Sequence, residues 1–205
     1  MKEKLGAVFI GLLMAAVIAI TGINAYALLM DSSRKQELTL TEAVGAIDYS
    51  HKLEGLIPLG TDHYWVGYDQ TTQKVYYLRA SEKWFEKNFP NGDAKDASGI
   101  KITGVKCKVT DHDLKNAMSD HMQEIGVPVL SRGTQNGEFL MLNASGVGIF
   151  SLMIAIGGVL CIILGFLMVI KKDSFSGTVK TIFGCFMIVW ALALAYYLTR
   201  FGLLL

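Results

Sequence analysis

The distribution of charge along the chain constrains its fold more than any motif does. Of 37 charged side chains, 29 lie between Asp31 and Glu138, and the flanking regions contain three long runs that carry none. A charge at mid-bilayer costs about 2.5 to 3.5 kcal/mol even on lenient scales, so a membrane enforces this segregation and water does not. The first run, Leu5 to Met30, would form a helix of about 39 Å, long enough to cross a hydrocarbon core of about 30 Å with tilt. The second, Ala144 to Ile170, is equally uncharged, and the third, Thr181 to Thr199, is bounded by Lys180 and Arg200. The expectation is a membrane protein with three transmembrane α-helices at 5–30, 144–170 and 181–199, and a polar domain at 31–143.

Basic residues set the expected orientation. Lys2 and Lys4 precede the first span, and Lys171, Lys172 and Lys180 crowd the loop 171–180. Three spans put residues 1–4 and that loop on one side, which the positive-inside rule makes cytoplasmic. The domain 31–143 and the tail 200–205 are then extracytoplasmic. Arg34 and Lys35 oppose this only weakly, because Asp31 and Glu37 flank them and long domains translocate largely regardless of charge. Lys2, Lys4 and the Ala25-Tyr26-Ala27 tripeptide also fit a cleaved signal peptide, but hydrophobicity continues past that site through Met30, beyond the usual length of such segments. Both readings leave the domain outside.

Small residues recur at helical spacing in the first span (Gly11, Ala15, Ala19, Gly22) and in the second (Gly148, Ser151, Ala155, Gly158). Helices in lipid associate by close backbone approach, so these stripes are candidate packing faces, for each other or for a second copy. No span contains an acidic or basic residue, which argues against a proton relay or ion pathway.

The domain reads as a small α+β unit of four to six strands, with a partly open β-barrel as one arrangement. Leu40 to Ile47 suggests a short helix capped by Thr41. Asp62 to Tyr68 and Lys74 to Ala80 form an antiparallel hairpin. Ser81 caps a helix to Phe89, and Asp111 or Asp113 caps another to about Ile125. Gly99 to Thr110 reads as a strand whose apolar alternation changes phase at Gly104, which suggests a bulge. Val127 to Leu130 and Glu138 to Leu142 are further extended candidates. The segment Leu53 to Gly60, apolar and rich in turn residues, fits the membrane surface or the underside of the hairpin.

Chemistry-bearing residues are sparse. Asp-His dipeptides occur at Asp62-His63, Asp111-His112 and Asp120-His121, but His112 and His121 would face opposite sides of one helix, and no H-E-x-x-H or C-x-x-C pattern exists. Surface histidines explain them better than a metal site. Cys107 is expected in the core, and Cys161 and Cys185 in spans. Asn143-Ala-Ser145 matches a glycosylation sequon but abuts the second span. Tyr64, Trp65, Tyr76 and Trp84 are candidates for a partner surface, with core packing as the stronger alternative. No catalytic, cofactor-binding or metal-binding residue is assigned, a formal net charge of only +1 gives no electrostatic argument for nucleic acid, and a net of 3 negative makes 31–143 mildly acidic.

An N-terminal anchor, a domain carrying Tyr64-Trp-Val-Gly-Tyr68 and Val75-Tyr-Tyr-Leu-Arg79, and a C-terminal helical pair resemble small bacterial three-span membrane proteins of unknown function. That resemblance carries over no site residues. The expected role is a non-enzymatic, membrane-anchored protein whose outer domain binds a protein, peptide or envelope component. The alternative is an accessory subunit or assembly factor acting through its helices. An enzyme ranks third.

Overall fold

The computed structural model describes residues 2–52, 58–93, 98–170 and 175–201. The core of the 53–60 segment, Lys171 and Lys172 of the loop, and the tail beyond 201 lie outside the described residues. Three helices are long and apolar enough to cross a membrane: α1 (Lys2–Leu29), α4 (Ala144–Ile170) and α5 (Gly177–Phe201). Between α1 and α4 stands a closed barrel of five strands, β1 (Lys35–Lys52), β2 (Pro58–Asp69), β3 (Lys74–Arg79), β4 (Ile100–Lys108) and β5 (Glu138–Met141), in the order β1-β2-β3-β5-β4. All pairs are antiparallel except β3 with β5. This is the five-stranded Greek-key architecture of the OB fold. Helix α2 (Glu82–Asn88), capped by the Ser81 hydroxyl, follows β3, and α3 (His112–Glu124), capped by Asp111, follows β4.

Strand alternation divides the buried residues into two clusters. Inward-facing Leu38, Leu40, Trp65, Tyr76, Leu78 and Leu140 fill the barrel, and Phe89 of the α2 C-cap packs with them. Trp65 stacks on Phe85 of α2 with ring centroids 3.7 Å apart. Outward-facing Tyr64, Tyr77, Val105, Cys107, Phe139 and Met141 form a second cluster with Leu114, Met118 and Met122 of α3 and with Leu28, Val147 and Tyr197 of the long helices. Each fully buried Leu contributes about 1.5 to 3 kcal/mol.

Three expectations for local structure are corrected. No helix forms at Leu40 to Ile47, because β1 runs through it. Ladder pairing with β2 overrides the weak helical pattern, and Thr41 and Ala46 become the extra residues at two register shifts that bend the strand. Gly104 carries no bulge either, since β1 and β4 pair without a shift from Lys35↔Val105 to Leu40↔Ile100. The phase change instead marks where burial passes from the barrel interior (Ile100, Ile102) to the outer cluster (Val105, Cys107). A Cβ on Gly104 would lie 2.9 Å from the Leu140 side chain, so the residue has to be small there. Finally, Val129–Ser131 is a 3-10 turn rather than a strand.

Candidate functional site

The barrel and the long helices meet at a charged junction. On the outer face of β2 and β3, Asp62 and Arg79 lie close together because the ladder pairs Tyr64 with Arg79. The last turn of α5 brings Arg200 to the same carboxylate. Arg79 Nη2 donates to Asp62 Oδ2, Arg200 Nη2 lies 3.0 Å from Asp62 Oδ1, and Arg79 Nη2 also donates to the Arg200 carbonyl at 2.9 Å. Arg200 donates to the Thr61 carbonyl at 3.1 Å. Asp62 is 4% exposed. The Arg79 guanidinium lies 5.0 Å from the Phe201 ring and 5.9 Å from that of Phe139. Gly60, at φ 121°, gives this arrangement its space, since a Cβ there would come 2.3 Å from the Arg200 guanidinium.

Two cavities flank this network. One of about 280 Å³ lies between the barrel, the start of α3 and the end of α5, with Tyr49, Tyr64, Lys108, Asp111, Leu114 and Phe201 in its walls. The other, about 450 Å³, opens on the other side among His63, Ser81, Glu82, Asn143, Val147 and Tyr196. Burial pushes the Tyr64 hydroxyl up to about 12, with Asp62 adding to the rise and Arg79 opposing it. Tyr49 is raised further, by desolvation and by its 2.6 Å hydrogen bond to Asp111 Oδ2. Both hydroxyls therefore stay protonated at neutral pH and act as hydrogen-bonding groups. Charged groups of both signs, hydroxyls and apolar side chains in the walls suit a ligand with a polar end and an apolar body.

The remaining candidates disperse. Tyr64, 3% exposed, lines the smaller junction cavity, Trp65 and Tyr76, 9% and 2% exposed, are packed in the barrel, and Trp84 is half-buried at the surface. In α4 the small-residue stripe does face α1: Gly148, Ser151, Ala155 and Gly158 are buried, and Cβ atoms on Gly148 and Gly158 would lie 2.7 Å from Leu29 and 2.6 Å from Ile18. In α1 the stripe does not. Ala15 and Ala19 are exposed, and Gly11 and Gly22 have nothing within 4 Å of a built Cβ. The contact face of α1 uses Ile18, Thr21, Ala25 and Leu28 instead, and Ser151 Oγ donates to the Thr21 carbonyl at 2.6 Å. Asn24 donates to the Tyr197 hydroxyl at 3.2 Å, a link between the first and last helices.

His63 bonds Asp48 at 2.7 Å, His121 bonds the Tyr77 hydroxyl at 2.9 Å and His112 bonds Asn116 at 2.9 Å, each in a different place. Among the described residues no group of three or more His, Cys, Asp or Glu could hold a metal. Burial pushes the Cys107 thiol up to about 12, which leaves it a poor nucleophile at neutral pH. Sequence reasoning missed the Asp62–Arg79–Arg200 network. Its one signal was Arg79 and Asp62 sharing the face of Tyr64 in the hairpin, while Arg200 read only as the boundary of a span. No family model, curated protein or solved structure matches the chain.

Proposed function

We propose that this is a membrane-anchored, non-enzymatic binding protein whose barrel lies outside the cytoplasmic membrane and takes a protein, peptide or envelope component at the junction of barrel and helices. The observation that carries the reading is the buried Asp62–Arg79–Arg200 network with a cavity on each side. It ties the barrel to the end of α5, while β5 passes into α4 through only Leu142 and Asn143. A barrel held at two points keeps a fixed attitude to the bilayer and presents the junction at the membrane surface. The positive-inside distribution of Lys2, Lys4 and Lys180 supports the outward placement.

A second reading, an accessory subunit working through its helices, is favoured by a different observation. Ala15 and Ala19 are exposed, and α5 has Tyr197 as its one buried residue. Photo-crosslinking residues distinguish the two. Placed at Lys83 or Thr110, beside the cavities, they are expected to yield a specific adduct in native membranes. Adducts from Ala19 or Val189 with none from the cavity positions would favour the accessory-subunit reading and defeat the first.

A further inference from the structure

The barrel carries another polar cleft, of about 400 Å³, walled by Arg34, Lys35, Lys106, Lys108 and Glu138. We propose that it binds a phosphate-bearing anion, supplied either by an acidic lipid headgroup or by free phosphate. The cleft reverses the local charge of a domain that is otherwise net negative. Four cations line it, Arg34 from the 3-10 turn before β1, Lys35 from the first position of β1, and Lys106 and Lys108 from β4, which the pairing of Lys35 with Val105 sets beside that segment.

The one carboxylate in the wall is already engaged. Glu138 Oε2 accepts from the Gln135 amide at 3.1 Å and lies 3.6 Å from Lys106 Nζ. Arg34 is paired with Asp31 at 3.5 Å. Lys35 and Lys108 are exposed and have no ion-pair partner among the described residues. Two ammonium groups without counter-ions beside a neutralised carboxylate leave a positive excess, and phosphate oxygens accept strong charge-assisted hydrogen bonds from such donors.

The position suits a headgroup as well as an ion. Lys35 is six residues past Leu29, the last residue of α1, and Lys108 also lines the cavity that contains Arg200 and Phe201 at the end of α5. A basic cleft this close to the ends of α1 and α5 lies within reach of lipid headgroups, and anionic headgroups attract Lys and Arg held near the surface.

The test uses the full chain in neutral detergent. Thermal-shift titrations are run with dioctanoyl phosphatidylglycerol, dioctanoyl phosphatidylcholine, inorganic phosphate, and chloride at matched ionic strength. Saturable stabilisation by phosphatidylglycerol but not by phosphatidylcholine or phosphate assigns a lipid headgroup. Saturation by inorganic phosphate assigns the free ion. In either case Lys35→Glu and Lys106→Gln are expected to weaken binding about tenfold each. Lys35→Gln, at an exposed and unpaired position, serves as the variant whose unliganded melting should match the parent. No saturable response to either phosphate compound beyond that of chloride overturns the proposal, and so does a response unchanged in all three variants. Neither Lys35 nor Lys106 lines the junction cavities, so this outcome is independent of the crosslinking at Lys83 and Thr110.

Discussion

Replacing Asp62 with Asn tests whether the charged junction holds the barrel together. The substitution keeps the shape of the side chain and one acceptor, and removes the charge that two arginines share. The Arg79 and Asp62 side chains are 10% and 5% exposed, and removing one partner of a buried pair costs about 3 to 5 kcal/mol. Arg79 keeps the Arg200 carbonyl and the Phe139 and Phe201 rings, which places the loss at the lower end, about 3 kcal/mol. Arg200→Gln should cost less, about 1 kcal/mol, because Arg200 is 21% exposed and Asp62 would keep Arg79. At roughly 4 °C per kcal/mol for a domain of this size, the expected falls in melting temperature are about 12 °C and about 4 °C. Melting of the full chain in detergent, followed by tryptophan fluorescence, reads this out, since Trp65 is stacked in the barrel interior. The double variant should be little worse than Asp62→Asn alone, because both changes remove the same contact. A fall of less than about 2 °C for Asp62→Asn, or a larger fall for Arg200→Gln, would refute the network as a buried lock.

Three further outcomes are expected. Burial alone would raise the Asp69 pKa, but hydrogen bonds from Thr72, Thr39 and Thr71 outweigh it and the net shift is downward. That stabilisation is fully present above the unfolded value of about 4 and is lost as pH falls through the lower folded value, so Asp69→Asn should flatten the acid limb of a melting-versus-pH profile. Gly148→Leu and Gly158→Leu should each destabilise α1–α4 packing by about 1 to 3 kcal/mol, while Gly22→Leu should leave the isolated monomer unchanged, as measured by unfolding in micelles. Cys107 is 1% exposed and its thiol is raised, so an impermeant maleimide should label it only after denaturation. A cysteine at exposed Thr71 should be labelled in intact cells if the barrel lies outside, and only after rupture if it does not.

Much of the fold was legible because it follows from single-sequence periodicity. Uncharged runs marked the helices, and the strand-forming sequences around Asp69 to Gln73 marked the β2–β3 hairpin, while Ser81 and Asp111 cap α2 and α3 through local hydrogen bonds. What was not legible depends on partners distant in the chain. The residues from Leu40 to Ile47 become strand only because β2 lies beside them. The phase change at Gly104 reads as a bulge until one knows that β4 turns its barrel face inward first, at Ile100 and Ile102, and buries its opposite face afterwards, at Val105 and Cys107 beside α3. The small residues of α4 are buried while Ala15 and Ala19 of α1 are exposed, for a similar reason. Spacing identifies a smooth face but not its neighbour, and α1 turns a polar-studded face, Thr21 and Asn24, toward its partners. The junction network joins residues 62, 79 and 200, a separation that no local pattern encodes.

The barrel is, topologically, an insertion between two helices that pack on each other along much of their length. Pairing α1 with α4 closes a loop of about 110 residues, which for a flexible chain costs about 4 kcal/mol. A folded barrel removes most of that cost, because it already holds the start of β1 and the end of β5 in one sheet, with Val105 bridging them as the partner of both Lys35 and Met141. The reverse also holds: helices paired in the bilayer bring the first and last strands together before the barrel closes. Each half of the molecule thus shortens the conformational search of the other, so damage to either is expected to slow the assembly of both.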